Sequence, residues 1–439
     1  MDIRLRYGKQ GLEVTLPDRN VKHVLRLNRL PSIEAPRARV NAAATQPSGM
    51  PSLTDVVKGR KNACIVVSDI TRPVPNGCIT GTLVDHLLAG GLREEDILVL
   101  VATGLHRGNS RAELREMGLG EVLDRGIRVE NHEARDAGSH VALGSSSMGI
   151  PVEIDRRYVE AEVRVLTGLV EPHLMAGYSG GAKAVCPGLC SAETIMSWHS
   201  PAMLAPPESR AGNIRGNRVQ EQAREIAAMA GPVDFLLNVT IDDARNVTGV
   251  FGGELVHTHL QAMRQAERQS KVVLDEPVDV VVTTNAGHPL DLTYYQGIKG
   301  MVGAMPIVKP GGTIIIAQEN AEGIGGPEFT GLLREARSPA EFMARAFAGE
   351  VSCIDQWQVQ ELDLVLRHCE VLNYGTGIDP ETQRGLFVEP IASVEEGVRA
   401  ALTRHGADAT VAVIPEGPYV LACLKDDIVG SRSVGDDAP

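Results

Sequence analysis

Aromatic side chains make up only 3% of this 439-residue chain, and positive charge is in deficit, with 43 Lys and Arg against 56 Asp and Glu for a formal net charge of −13. A general nucleic-acid binder needs a basic footprint and stacking surface, so that class is excluded. Long apolar runs are also missing. Stretches such as Ile97 to Ala102 fall far short of the roughly 18 residues that cross a bilayer. Met1 to Arg6 contains no apolar signal core, and the seven cysteines (64, 78, 186, 190, 353, 369, 423) form an odd set without a CxxC pair. That is a reduced, cytoplasmic pattern rather than a disulfide framework. Neither a GxxxxGK[ST] loop nor an HExxH helix occurs, and there is no internal repeat.

What remains is ordinary globular material, 43% hydrophobic and 23% charged, in a chain long enough for two or three domains at about 150 residues each. Five β-branched runs stop at polar or glycine-rich turns: 62–68, 97–102, 163–167, 278–283 and 313–317. Near-continuous apolar runs of this length predict strands buried on both faces, hence parallel sheets. Between them, Ser110 with Glu113, Ser338 with Glu341 and Ser393 with Glu396 match the capping box that starts a helix. Pro339 also suits the first helical position. The fold class expected is α/β: two α/β domains with mainly parallel sheets and an active-site cleft between them. A polar helical stretch from Val256 to Ser270, then Asp275-Glu276-Pro277, places the boundary near 272, giving domains 1–272 and 273–439. Residues 34–52, rich in Ala, Pro and Ser, read as a loop or linker, and the tail from Gly430 as frayed.

Ligands of α/β folds sit at the carboxyl ends of strands, and three turns there carry reactive groups. Ser68-Asp69-Ile70-Thr71-Arg72-Pro73 packs a carboxylate, a hydroxyl and a guanidinium together. Arg72 suits a carboxylate or phosphate, and an internal Asp–Arg ion pair reads equally well. Thr103-Gly104-Leu105-His106-Arg107 offers a histidine for proton transfer, although a lone strand-end histidine is more often structural. The densest segment runs from Glu171 through His173, Gly177, Gly180, Gly181 and Lys183 to Trp198-His199. Its glycines let backbone amides approach a phosphate, and Lys183 follows as a cation or nucleophilic amine. Cys186 and Cys190 read better as small packed residues than as metal ligands, because Pro187-Gly188 break a helix between them. Further on, Gln296 and Lys299 share a helical face beside Tyr295, and Trp357 is one of two tryptophans. On local grounds those read as a solvated lysine and a core anchor. His257, His259, His288 and His368 read as structural.

Taken in order, Ser-Asp-x-Thr-Arg-Pro, Thr-Gly-x-His-Arg, Glu-Pro-His-x-x-Ala-Gly-Tyr-Ser-Gly-Gly-x-Lys and the following His199 resemble the nickel-dependent lactate racemase family. The Tyr-Gln-x-x-Lys and Asp-Gln-Trp segments extend that resemblance over about residues 60–360. It implies nickel held in a nickel-pincer nucleotide, pyridinium-3-thioamide-5-thiocarboxylic acid mononucleotide, attached covalently at Lys183. His199 then resembles the protein ligand to nickel, and His106 and His173 the two histidines flanking the substrate carbon. Arg72, Gln296 and Lys299 resemble substrate or transition-state contacts. Asp69, Thr71, Gly180, Gly181, Tyr295 and Trp357 resemble positions around the cofactor and cleft. Implied partners are a small 2-hydroxy acid and the cofactor-biosynthesis enzymes that load the nucleotide, with no nucleic acid and no membrane.

The residue types suit that chemistry. Removing a proton from C2 beside a carboxylate faces a high barrier, whereas hydride transfer with deprotonation of the hydroxyl passes through a 2-keto acid. Rotation and return of hydride invert the centre, and two histidines serve the two enantiomers. Arg72, Lys183 and Lys299 would make a locally cationic site in an acidic protein. Three alternatives remain at this stage. One is racemisation or epimerisation of another 2-hydroxy acid. Another is a divalent-metal hydrolase or phosphotransferase using Asp69, His106, His173 and His199. The third is a protein that stores the nucleotide, which would not need both His106 and His173.

Overall fold

The computed structural model describes residues 1–425, so the tail expected to fray lies outside the described residues. The chain forms two compact units, residues 29–268 and residues 1–28 together with 269 onward. The second unit therefore begins with the N-terminus, which the sequence division had assigned to the first domain. Strand β1 (Val21–Val24) explains this: it pairs in parallel with Val411–Ile414 at the edge of the C-terminal sheet. Only Val21 of β1 is buried, so its sequence carries no marked apolar run.

The 29–268 unit holds a six-stranded sheet built from β2 (Ala63–Ser68), β3 (Ile97–Ala102), β4 (Arg128–Asn131), β5 (Val163–Leu169), β6 (Phe235–Ile241) and β7 (Val247–Gly253). Its spatial order is β7-β6-β5-β2-β3-β4, parallel except for the β6–β7 hairpin at one edge. Residues Ala63 to Val67 and Ile97 to Val101 are all buried, as both-face coverage by helices demands. Ile65, Val99, Val165 and Leu237 pack with Ile79 and Leu83 from the neighbouring helix in one core.

Residues 36–45, within the stretch read as a linker, instead form helix α1 (Pro36–Thr45). Pro36 opens the helix, alanine favours it, and Val40 and Ala44, one turn apart, are fully buried. Helix α2 (Asn76–Ala89) follows β2; α3 (Ala192–Trp198), α4 (Arg218–Met229) and α5 (Leu255–Ser270) come after the glycine-rich segment. At Ser110 both halves of the capping box form, while Ser338 and Ser393 accept hydrogen bonds from the backbone N–H of Glu341 and Glu396.

In the other unit, β8 (Val278–Thr284), β9 (Val308–Ala317), β10 (Glu370–Tyr374), β11 (Glu389–Pro390) and β12 (Val411–Ile414) join β1 in an all-parallel sheet of order β11-β10-β9-β8-β12-β1. Helix α6 (Tyr294–Ala304) follows β8, and α7 (Gln356–His368) precedes β10. Among the described residues no helix is long and apolar enough to cross a membrane.

Candidate active site

In the 29–268 unit the chain runs from β2 outward to β3 and β4, then returns to place β5 and β6 on the other side of β2. The strand order reverses around β2, where a parallel sheet leaves a crevice at its carboxyl ends. The three motif-bearing turns follow β5, β2 and β3, which are adjacent strands.

Past β2, Asp69 is buried, and both its oxygens are engaged. The hydroxyl of Thr71 donates to Oδ1 at 2.6 Å, the Thr71 backbone N–H to the same atom at 3.2 Å, and His106 Nδ1 to Oδ2 at 2.6 Å. Burial alone would raise the carboxyl pKa. The charge and hydrogen bond of His106, then the Thr71 hydroxyl and the Arg72 charge, outweigh it and hold Asp69 below its ordinary value. An ionised carboxylate only accepts, so Nδ1 of His106 carries a proton, and in the neutral ring the lone pair lies on Nε2. Arg72 does not pair with Asp69, as the ion-pair reading had it. Its Nη1 lies 3.2 Å from Glu171 Oε1, across from the turn that follows β5.

His173 takes the opposite tautomer. It sits in a two-residue strand, Pro172–His173, paired with Gly177–Tyr178. Its Nδ1 accepts from the backbone N–H groups of Met175 and Ala176, each at 3.3 Å, so the proton of the neutral ring belongs on Nε2. The turn depends on Gly177: its φ is +76°, and a Cβ there would lie 2.1 Å from the carbonyl oxygen of Asn213.

The glycine-rich loop continues into a single 3-10 turn, Gly181–Ala184, which carries Lys183. Gly181 has φ +55°, and an added Cβ would be 2.1 Å from Nδ1 of His259. Lys183 Nζ lies 4.7 Å from the centre of the Trp198 ring, a cation–π contact. Burial, reinforced by the Arg72 guanidinium, pushes its ammonium down to about 7. Trp198 closes α3, donates its indole N–H to Val219 O at 3.0 Å, and meets the His199 ring edge-on at 4.4 Å. His199 Nδ1–H donates to Ile195 O at 3.0 Å, so Nε2 holds the lone pair. Burial and then the Lys183 charge bring its pKa down to about 3, keeping the ring neutral. A neutral imidazole with a defined lone-pair nitrogen is a ready metal ligand. Among the described residues no group of three or more His, Cys, Asp or Glu could hold a metal ion by itself. Cys186 and Cys190 are fully buried.

In the other unit, α6 and α7 bring together the second set of predicted residues. Lys299 Nζ donates to Gln296 Oε1 at 2.6 Å, one turn apart on α6. The Trp357 indole N–H donates to the Tyr295 hydroxyl at 2.9 Å. Trp357 is buried, as a core anchor should be, yet its polar edge is committed to Tyr295.

Several participants escaped sequence reasoning. Glu171 and Trp198 stood inside quoted motifs, so a signal existed: an acid and an aromatic immediately beside two singled-out histidines. His259, read as structural, is buried, donates from Nε2 to Ser179 O at 2.8 Å and braces Gly181.

The chain is similar to known lactate racemases along nearly its whole length. Residues 7–212 match the family model described as lactate racemase N-terminal domain, and residues 273–422 the lactate racemase C-terminal domain. A lactate racemase of Thermoanaerobacterium thermosaccharolyticum is 31% identical over 429 residues, 97% of this chain and 100% of that protein. One of Lactiplantibacillus plantarum is 31% identical over 423 residues, covering 95% of this chain and 99% of that protein. The solved structure of the T. thermosaccharolyticum lactate racemase apoprotein superposes with a TM-score of 0.89 at 31% identity, over 96% of this chain and 100% of that one. A Thermotoga maritima protein shares the fold at a TM-score of 0.67 and 18% identity, over 89% of this chain and 98% of that one. With both family domains present in order and two relatives matched nearly end to end, the chain belongs to the lactate racemase family of isomerases.

Proposed function

We propose that this protein interconverts the configurations at C2 of a 2-hydroxy acid, lactate or a close relative, using a nickel-pincer nucleotide tethered at Lys183. The observation that carries this reading is the pair of opposite tautomers: His106 backed by a buried carboxylate, His173 by two backbone N–H groups. One ring presents a lone pair at Nε2 that can accept a proton, and the other an N–H there that donates a hydrogen bond and serves as an acid once that ring is protonated.

The surrounding residues suit the cofactor. Lys183, with its pKa near 7, is partly a neutral amine at neutral pH and able to form a covalent link to an acyl or thioacyl carbon. His199 would ligate nickel through Nε2, which its Nδ1–H bond to Ile195 O leaves as the lone-pair nitrogen. When bound, the nickel-pincer nucleotide supplies a hydride acceptor, so C2 can lose and regain hydrogen without a carbanion.

The protein's own groups then have these tasks. Arg72 grips the substrate carboxylate, its orientation set by Glu171. His106 Nε2 takes the hydroxyl proton of one enantiomer, and Asp69 stabilises the imidazolium that forms. The 2-keto acid turns its other face, and His173, as an imidazolium that has drawn a proton from solvent, gives its Nε2 proton to the oxygen as the C–H bond re-forms, while His106 returns its proton to solvent. In reverse, the two histidines exchange tasks. In the other unit, the Lys299 cation and the Gln296 amide are groups suited to a carboxylate or an alkoxide, and the hydrogen-bonded Tyr295 and Trp357 belong to the same unit.

The hydrolase or phosphotransferase alternative needs Asp69, His106, His173 and His199 to converge on one ion. Among the described residues no such group exists, and Asp69 and His106 are already committed to each other. The test is intact-mass analysis of protein produced together with the cofactor-synthesis enzymes, followed by a chiral panel of 2-hydroxy acids. A nickel-containing adduct mapped to Lys183, with interconversion of at least one acid, is expected. An unmodified Lys183 under conditions that load a known relative would refute the proposal.

A further inference from the structure

The first turn of α6 carries Tyr295 and Gln296, with Lys299 one turn on, and its leading N–H groups are bound to neighbouring chain. Tyr294 and Tyr295 donate their backbone N–H to Gly323 O at 3.0 Å and Ile324 O at 2.8 Å. The Gln296 N–H donates to the Thr293 hydroxyl at 3.4 Å. The start of the helix is therefore registered on the segment 319–324 that follows β9. One buried side chain ties that segment to the loop leading into α6. Asp291 is 0% exposed, and its Oδ2 accepts from the Glu319 backbone N–H at 3.2 Å and the Gly8 N–H at 2.7 Å. Its own carbonyl accepts from the Asn320 N–H at 2.8 Å, and Leu292 O from the Glu322 N–H at 2.8 Å.

Gly8 lies 283 positions from Asp291, in the N-terminal segment. That segment is itself fixed: the Arg6 N–H donates to Pro415 O at 3.0 Å, just past β12, and Gly8 O accepts from the His288 N–H at 2.9 Å. Three stretches remote in sequence, 6–8, 286–293 and 319–324, thus meet around one carboxylate. Ala286 and Asn320 hold left-handed φ values of +61° and +55° there, a conformation that costs free energy and persists only where the surroundings fix it. We propose that Asp291 is a positioning residue for the reaction: it sets the register of α6, and so the placement of Tyr295, Gln296 and Lys299, without touching substrate itself. The consequence for catalysis rests on the function proposed above, in which Gln296 and Lys299 serve the substrate; the consequence for α6 does not. A misplacement of about 1 Å in a group that orients a substrate can cost about a hundredfold in rate. The arrangement needs an acceptor at Oδ2 rather than a charge. Asp291 Oδ1 is buried without a hydrogen bond among the described residues, so asparagine can keep the Oδ2 acceptor and lose no partner with the other atom.

The test compares Asp291→Ala, Asp291→Ser and Asp291→Asn in the full chain. Val398→Ala is the control, since Val398 is buried in the same unit, in one core with Val280 and Ile315, on the helix Val394–His405. The first readout needs no cofactor. A proton–nitrogen correlation spectrum holds two indole signals, because the chain has two tryptophans. The Trp357 signal reports its 2.9 Å bond to the Tyr295 hydroxyl, and Trp198, in the 29–268 unit, is the internal reference. Asp291→Ala and Asp291→Ser should shift the Trp357 signal and leave that of Trp198 in place. Asp291→Asn should keep both near wild type, and Val398→Ala should move neither although it too lowers stability to urea. In cofactor-loaded protein Asp291→Ala should lower kcat about ten- to hundredfold, with Asp291→Asn recovering most of it. Should Asp291→Ala fail to fold, Asp291→Ser, one bond too short to serve both N–H groups, carries the same comparison. An unmoved Trp357 signal in the Ala and Ser variants, or an equal shift in Val398→Ala, would overturn the positioning role. A shifted signal with kcat unchanged in loaded protein would leave Asp291 as the anchor of α6 and refute the placing of Gln296 and Lys299 against substrate.

Discussion

Replacing Asp69 with Asn keeps the side-chain volume and removes the charge behind His106. The buried carboxylate holds Nδ1 at 2.6 Å, a short charge-assisted hydrogen bond. A bond of that kind contributes about 2–3 kcal/mol, or roughly 30- to 150-fold in rate at about 1.4 kcal/mol per tenfold. Asparagine adds a second effect. Its amide can donate to Nδ1, which moves the ring proton to Nε2 and removes the lone pair that accepts the hydroxyl proton. In the serine-protease triad the equivalent change costs about ten-thousandfold, so the combined loss here should lie between about 10² and 10⁴. The loss should fall on kcat more than on KM, because the carboxylate grip is assigned to Arg72. Enantiomers have equal free energy in water, so kcat/KM must fall equally in both directions. The measurement is chiral chromatography from each pure enantiomer, with the Lys183 adduct quantified by intact mass. A loss below about threefold in loaded protein would refute the claim that Asp69 sets the state of His106.

Three further outcomes follow from the geometry. Lys183 should react with an amine-directed acylating reagent with a midpoint near pH 7; the rate rises as pH rises through that value because the neutral amine is the nucleophile. A midpoint near 10.5 by peptide mapping would show the ammonium to be ordinarily solvated. Gly181→Ala places a Cβ against His259 at a positive φ, and should destabilise the fold by about 2 kcal/mol or more and lower adduct yield, read by urea unfolding and mass analysis. Asp155, fully buried between His132 and Arg157, has its carboxyl lowered to about 2, burial being outweighed by hydrogen bonds from Arg157 and His132. A depressed carboxyl stabilises above its unfolded value near 3.8 and loses that contribution as pH falls toward 2. Wild type should therefore lose roughly 2 kcal/mol over that window, and Asp155→Asn should lack this part of the acid dependence. Parallel acid dependences for wild type and variant would contradict the assignment.

The sequence by itself determined the α/β class and the strand ends that carry the candidate site, because both are written in short local patterns. Apolar runs such as 63–67 and 97–101 are continuous only when both faces of a strand are covered, and the reactive turns come immediately after them. His106, His173, Lys183 and His199 stand out as candidates for the same reason: each lies inside or just after a contiguous motif. Other features depended on groups that meet only in the folded chain. Arg72 finds Glu171 99 positions away, so no reading of the Ser-Asp-x-Thr-Arg turn could choose between Asp69 and another acid. The short strand β1 joins the C-terminal sheet through an edge pairing that its half-exposed sequence does not announce. Helix α1 was hidden by a composition that equally suits a linker. The tautomers of His106 and His173 follow from a buried carboxylate in one case and two backbone N–H groups in the other. The lowered basicity of Lys183 comes from burial and the neighbouring Arg72 charge. Sequence names the ionisable groups, but only packing sets the dielectric and the partners that decide which of them carry a proton.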